Sequence, residues 1–259
     1  MDTFAIFNSE IIFAEPYTGL AKVYDAMMST VNYRQWAKYI HSILKREKFK
    51  TGVLLDIGCG TGQFFHFFKK YRYQLEGCDS SSHMIEIAKC KLPEIHFFTS
   101  KIPQLENVPD SKYDIIICLF DTINYLFELT DVRKALQKIY LKLNKTGIFI
   151  FDVVTESHCQ RYFQDYKERE STSENISYSR ESHYDEKNKI QNNYIRICTP
   201  EAILEELHVQ KIYEFGDIKS MIINETPFEL KSTFEDFSFD EATKNSGRIQ
   251  FVLRKSEDD

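Results

Sequence analysis

The segment Val53-Leu-Leu-Asp-Ile-Gly-Cys-Gly-Thr-Gly62 constrains this chain more than any other. An apolar run leads straight into three glycines at alternate positions and then into a further apolar stretch. A run of that kind reads as a buried strand. The glycines let the backbone turn sharply and approach a ligand with no Cβ in the way. Short apolar runs recur at 74–78, 95–98, 114–120 and 148–153, and helical patterns near 62–71, 82–91 and 131–143 fall between them. Strand and helix in alternation predict an α/β fold with a Rossmann-like, mostly parallel sheet covered by helices on both faces.

On either side of this core the rhythm differs. Leu20, Val23, Tyr24, Met27 and Met28 recur at helical spacing, and so do Tyr33, Trp36, Ala37, Ile40, Ile43 and Leu44, which predicts two amphipathic helices as an N-terminal helical lid over residues 1–50. The core then spans 51–155. Residues 156–198 are polar, with Ile176 and Tyr178 alternating before the turn at 185–189 and Ile190, Asn192 and Tyr194 after it. That pattern reads as a β-hairpin, and the segment 156–213 as an antiparallel β insertion after the fifth strand. Thr199-Pro200-Glu201 has the composition of a helix start, while 202–213 equally suits a strand. Within the last segment, 214–259, residues 228–234 and 249–253 complete a seven-stranded sheet as an antiparallel pair.

Charge and cysteine usage narrow the function. The chain carries 33 basic and 39 acidic residues, a net of −6, so no global positive field draws in a phosphate backbone, and nucleic acid is not expected as a partner. The basic run Lys45, Arg46, Lys48 and Lys50 sits at a helix end, where cations complement the dipole. Six cysteines without a CxxC pair or metal-ligand spacing predict no metal site and reduced thiols in a cytoplasmic protein. With Asp2 and Glu10 and no basic-then-apolar pattern, the N-terminus does not read as a secretory signal. No apolar run reaches the roughly 18 residues of a membrane span.

The glycine run then identifies the ligand. Its spacing is G-x-G-x-G, not the G-x-G-x-x-G of dinucleotide sites, and Asp56 stands two residues before the first glycine. An acid there suits a cation and not a pyrophosphate. The second strand ends in Gly77-Cys78-Asp79, with Asp79 lying 21 residues beyond Gly58, where a carboxylate can accept both ribose hydroxyls. A ribose and an amino-acid cation on one ligand point to S-adenosylmethionine. An NAD-dependent enzyme is the rival, disfavoured by the glycine spacing and by Asp56.

Residues 53–64, 77–89 and 113–126 resemble the cofactor-binding motifs of class I S-adenosylmethionine-dependent methyltransferases. The segments Val23-Tyr24-Asp25-Ala26-Met27, Tyr33-Arg-Gln-Trp-Ala-Lys-Tyr-Ile40 and Phe120-Asp-Thr-Ile-Asn-Tyr-Leu126 resemble a bacterial small-molecule subset, similar in architecture to glycine and aminosugar N-methyltransferases. The resemblance implies that Asp56, Gly58, Cys59 and Gly60 hold the methionine portion, that Asp79 holds the ribose and that Met84 packs on adenine. Ser100 and Lys101 stand where the family usually has an acid followed by an apolar residue beside the adenine amine, a departure from its pattern. Tyr24, Tyr33 and Trp36 would close over the cofactor from the lid, and Leu119 and Asp121 would border the transferred methyl.

A sulfonium already makes its methyl carbon electrophilic, so the protein has chiefly to aim a nucleophile and exclude water. No Asn-Pro-Pro-Tyr follows the fourth strand, which argues against methylation of base amino groups. Where the acceptor must lose a proton, His208 in Glu206-Leu-His-Val-Gln210 is the candidate base, against the alternative of a surface histidine. Asn124 and Tyr125 are candidates for the acceptor's wall. The expected function is methyl transfer to a small molecule, nitrogen before oxygen, in a chamber between lid, fourth strand and insertion. RNA or protein methylation, or an inactive cofactor-binding partner protein, are the alternatives.

Overall fold

The computed structural model describes residues 10–172 and 175–255. In chain order it contains β1 (Ile11–Phe13), a 3-10 turn (Leu20–Lys22), α1 (Tyr24–Met27), α2 (Tyr33–Arg46), β2 (Val53–Ile57), α3 (Gln63–Phe68), β3 (Gln74–Asp79), α4 (Ser82–Lys91), β4 (His96–Thr99) and β5 (Tyr113–Cys118). There follow a second 3-10 turn (Thr122–Tyr125), α5 (Leu129–Lys142), β6 (Leu143–Val154), α6 (Glu156–Tyr162), β7 (Asp165–Ser171), β8 (Ser177–Asp185), β9 (Ile190–Cys198), β10 (Ile203–Lys211), α7 (Phe215–Glu225), β11 (Phe228–Glu235) and β12 (Arg248–Lys255).

The large sheet runs β11-β12-β6-β5-β2-β3-β4. Strands β6, β5, β2, β3 and β4 are parallel, and β12 and β11 close the sheet antiparallel. Neighbouring residues on its strands serve opposite layers, as the pleat requires. Leu54, Ile115, Ile117, Ile148, Ile150 and Val252 pack beneath α2, α3 and α4, and Leu55, Ile57, Ile116, Phe149, Phe151 and Phe251 pack beneath α5 and α7. Residues apolar on both faces explain why these strands read as continuous apolar runs. This is the Rossmann-like arrangement anticipated above, with its antiparallel addition following the fifth strand of the sheet.

The second sheet runs β1-β10-β9-β8-β7 and is antiparallel except for β1, which lies parallel to β10. The expected hairpin is β8–β9, turned at Asp185, whose Oδ1 accepts the Asn188 amide at 3.1 Å. Residues 203–211 are strand and not helix. Strand β7 and helices α6 and α7 carried too weak a periodicity to be seen beforehand.

The first lid helix differs from expectation. In place of one amphipathic helix there are a 3-10 turn and the single turn α1, because the amides that would open the helix are captured elsewhere. Those of Tyr17, Gly19 and Leu20 all donate to the Glu206 carboxylate on β10. Helix α2 forms as predicted, with Asn32 Oδ1 capping the Gln35 amide at 3.0 Å and Lys45 and Arg46 in its last turn. Among the described residues, no helix is long and apolar enough to cross a membrane.

Candidate active site

The glycine turn sits at the carboxyl end of β2, where Gly58, Gly60 and Gly62 adopt φ of 78°, 53° and 74°. These are left-handed conformations that side chains with a Cβ avoid. At Gly58 a Cβ would also come within 2.7 Å of Thr122 Oγ1, so the turn is wedged beneath the loop that follows β5. The Gly58 and Cys59 amides both donate to the Cys78 carbonyl, at 2.8 and 3.0 Å, locking the turn to β3. At the end of β3, Asp79 accepts the Gly60 amide at 2.9 Å and the Ser81 amide at 2.9 Å. Burial raises the Asp79 carboxyl, and these amides oppose the rise.

Asp56 is different. It is buried, and its Oδ1 has no hydrogen-bond partner among the described residues. Burial, with Asp79 and Asp152 repelling it, pushes its carboxyl well above the usual range. A carboxylate in that condition is stabilised by an incoming cation. It lies on a cavity of about 520 Å³ that Gly58, Cys59, Gly60 and Asp79 also line, with Met84, Ser100 and Lys101 further along. The lone carboxylate, the Cβ-free turn and the second carboxylate fit the amino-acid cation and ribose of S-adenosylmethionine. Helix α1 is bolted over the turn by Asp25, which accepts Thr61 Oγ1 and Lys91 Nζ, both at 2.6 Å.

A second cavity, of about 440 Å³, lies between α1, α2, the loop after β5 and the inner face of the small sheet. Tyr17, Tyr24, Phe120 and Tyr125 border both cavities. Phe120 and Asp121 have φ of 58° and 54°, two successive left-handed non-glycine residues, a strain of about 1–3 kcal/mol each that the surroundings must hold. Arg248 does much of the holding: its Nη2 meets Asp121 Oδ1 at 2.8 Å, its Nη1 pairs with Asp152, and its guanidinium lies 5.6 Å from the Trp36 ring. Asp121 also accepts Gln210 Nε2 at 2.5 Å and donates its amide to Asp152 at 3.0 Å. Burial raises the Asp152 carboxyl to about 6 although Arg248 opposes it.

On the sheet side, a hydrogen-bonded chain leads away from the boundary. Tyr17 and Tyr125 hydroxyls are 2.6 Å apart, Tyr125 Oη lies 3.1 Å from His208 Nδ1, and His208 Nε2 lies 3.0 Å from Glu206 Oε2. Burial pushes the Tyr17 and Tyr125 hydroxyls upward, so both stay protonated. Burial also pushes Glu206 up, but bonds from His208 and the Leu20 and Gly19 amides outweigh it and hold the carboxyl below its usual value. Elsewhere on the wall, Gln191 Oε1 is buried with no partner among the described residues, while its Nε2 donates to the Phe163 and Asn192 carbonyls. His158, lowered to about 4 by burial and then by Arg248, presents a neutral ring.

The sequence candidates therefore divide. Tyr24, Tyr33, Asp56, Gly58, Cys59, Gly60, Asp79, Met84, Ser100 and Lys101 line the first cavity. Trp36, expected at the cofactor, lines the second, together with Asp121 and His208. Leu119 borders neither: its side chain is buried in the core beneath α2. Asn124 borders neither as well, because its side chain is spent bridging Val154 and Lys211. His208 is not on the surface but 2% exposed. Tyr17, Glu206, Gln210 and Arg248 were not foreseen. The alternation of Glu206, His208 and Gln210 on one strand face was the one available signal.

Together these features define two adjoining cavities, one at the glycine turn with its two carboxylates and one on the inner face of the small sheet. The chain belongs to the methyltransferase domain family, whose model matches residues 28–194, and it is an S-adenosylmethionine-dependent methyltransferase. It is 28% identical over 247 residues to the protein YqeM of Bacillus subtilis (strain 168), covering 93% of this chain and 97% of that one. An S-adenosylmethionine-dependent methyltransferase from Clostridium acetobutylicum ATCC 824 shares the fold at a TM-score of 0.75 and 21% identity, over 93% of this chain and 99% of the other. The sugar N-methyltransferase KedS8 from Streptoalloteichus sp. ATCC 53650 shares it at a TM-score of 0.72 and 15% identity, over 91% and 93%.

Proposed function

We propose that this enzyme methylates a small molecule held in the second cavity, at an amine nitrogen, and that it does not act on nucleic acid. The observation that carries this reading is that Tyr17, Tyr24, Phe120 and Tyr125 line both cavities, so the two adjoin and a nucleophile in one is placed beside a methyl group in the other. The Trp36 and Phe120 rings and α1 cover the acceptor side, an enclosure suited to a metabolite. KedS8, by its name, methylates a sugar nitrogen, which supports an amine here.

In this reading Asp56 meets the ammonium of the cofactor, the Gly58–Gly60 turn cradles its amino-acid end, Asp79 accepts the ribose hydroxyls, and Met84, Ser100 and Lys101 flank the adenine. When bound, S-adenosylmethionine supplies the electrophilic methyl carbon. The chain's own residues orient the nucleophile, exclude water and remove a proton. An acceptor ammonium gives its proton to the tyrosine pair, Tyr125 passes its own to His208 Nδ1, and Glu206 stabilises the imidazolium formed. Each hydroxyl gains one proton as it loses one, so the net change is a single proton on His208.

The test is transfer of labelled methyl from S-adenosylmethionine to a small-molecule extract and, separately, to total RNA and protein. Label in the small-molecule fraction is expected. Label confined to macromolecules overturns the reading, and cofactor binding without any transfer marks an inactive partner protein.

A further inference from the structure

The buried carboxylate of Glu206 is shared between the N-terminal segment and His208. Its Oε2 accepts the Tyr17 amide at 2.7 Å and faces His208 Nε2 at 3.0 Å, and its Oε1 accepts the Gly19 and Leu20 amides at 2.5 and 2.9 Å. Three of the four bonds therefore come from the backbone that leads into α1, and the fourth from the proposed base. We infer that Glu206 is a positioning residue that couples seating of the N-terminal segment over the active site to proton acceptance by His208. The inference rests on the methyl-transfer reading above and adds to it a residue and a control.

The geometry of the segment is specialised for this contact. Tyr17 is a non-glycine residue at φ 66°, the left-handed conformation, and from that position its amide reaches Glu206 while its hydroxyl reaches Tyr125. Its ring also stands edge-on to His208 at 4.6 Å. Gly19 permits the close approach: a Cβ there would lie 3.1 Å from Leu204 Cδ2 and 3.3 Å from Glu206 Oε1. Strand β1 pairs with β10 just before, and the Ala14 amide donates to the Glu205 carbonyl at 2.9 Å, so the segment is delivered to Glu206 by its own strand.

The chemistry follows from the number of donors. With the segment seated, Glu206 accepts Nε2–H of His208, which leaves the Nδ1 lone pair facing Tyr125 and the boundary between the cavities. Three amides share the carboxylate's charge and moderate its pull on the imidazolium. With the segment lifted, those donors are gone, the carboxylate acts on His208 alone and the proton is held more tightly. The base would then be ready to release and reuse its proton only under a closed lid. Other groups facing this pair are Tyr17 and Tyr24 from the lid, Tyr125 and Asp121 from the loop after β5, and Arg180, in register with Glu206 across Ile195. Tyr17 also touches His208 through its ring, while Glu206 joins the amides of the segment to the imidazole by hydrogen bonds.

Two variants of the full-length chain test the coupling, with labelled S-adenosylmethionine and the amine fraction of a small-molecule extract as probes. In Glu206→Gln the Tyr17, Gly19 and Leu20 amides should exchange with solvent about tenfold faster or more, and the acid limb of the pH–rate profile should move to lower pH by about one unit, since a carboxylate near a cation shifts its titration by that order. Gly19→Ala retains the Glu206 carboxylate and the His208 ring but sets a Cβ against Leu204 and Glu206 that pushes the segment away, and its acid limb should move the opposite way, to higher pH. A merely structural glutamate would change exchange and leave both pH profiles where they were, which overturns the inference. Unchanged exchange in Glu206→Gln overturns it also, with or without turnover. Absence of labelled product with the wild-type chain would instead count against the methyl-transfer reading.

Discussion

The two ends of the site are built in different ways. The cavity proposed for the donor is made by one short stretch, since Asp56, the glycine turn and Asp79 fall within two strands and one helix, and backbone amides do most of the positioning. The cavity proposed for the acceptor collects Tyr17, Asp121, Tyr125, Arg180, Gln191, His208 and Arg248 from elements spread over most of the chain. There side chains hold side chains, through buried ion pairs and a hydroxyl–imidazole chain. A site of backbone groups tolerates substitution nearby, whereas a site of buried charges fails when any one partner is removed.

The strongest way to break this contrast is Arg248→Ala. Removing it leaves Asp121 and Asp152 without their cation, and loss of one partner of a buried pair costs about 3–5 kcal/mol. Urea unfolding should show a loss of that order. A change below about 1 kcal/mol would mean that the acceptor end does not depend on its ion pairs.

Next in size is Asp79→Ala at the donor end. It should weaken S-adenosylmethionine by about 1.5–3 kcal/mol, the range for hydrogen bonds to a charged group, with the fold retained. Calorimetry decides it, and unchanged affinity in a folded variant removes Asp79 from the ribose role.

A third experiment probes the element that joins the two ends. Hydrogen exchange of residues 14–45 should slow when S-adenosylmethionine is added, because α1 is tied to the glycine turn through Asp25 and to the small sheet through Glu206. Equal protection with and without cofactor would show that this segment does not respond to the donor chamber.

The smallest expected effect is at Asp56. Its carboxyl is raised in the folded chain, so its ionisation opposes folding as pH climbs above the ordinary carboxylate range. Asp56→Asn should remove that penalty and melt slightly higher than the wild type at neutral pH without cofactor, while binding S-adenosylmethionine more weakly. A variant that melts lower would mean that Asp56 is already paired when the cofactor is absent.

Much of this protein is written locally. The parallel strands declare themselves because residues buried on both faces must be apolar, and the glycine turn declares itself because only glycine takes those angles without a clash. Asp56 and Asp79 are readable from their distance to that turn, since a strand end places its last side chains at a known point. Hence the core sheet and the cofactor were legible in the sequence, and the residues proposed to hold that cofactor could be named from it. The first lid helix misled because its periodicity was sound while its amides were taken by a carboxylate some 190 residues away, and Asn124 misled because a polar residue beside a site can be holding strands together.

Sequence alone thus determined the α/β sheet and the residues gathered at the glycine turn, whose placement depends on neighbours along the chain. Tertiary structure alone decided the build of the second cavity: which face of β10 turns inward, that Arg248 reaches Asp121 and Asp152, and that Glu206 is shared by the N-terminal segment and His208. The physical reason is that desolvated charges and hydrogen-bond networks draw their energy from partners brought close only by folding. No local pattern encodes where those partners will be.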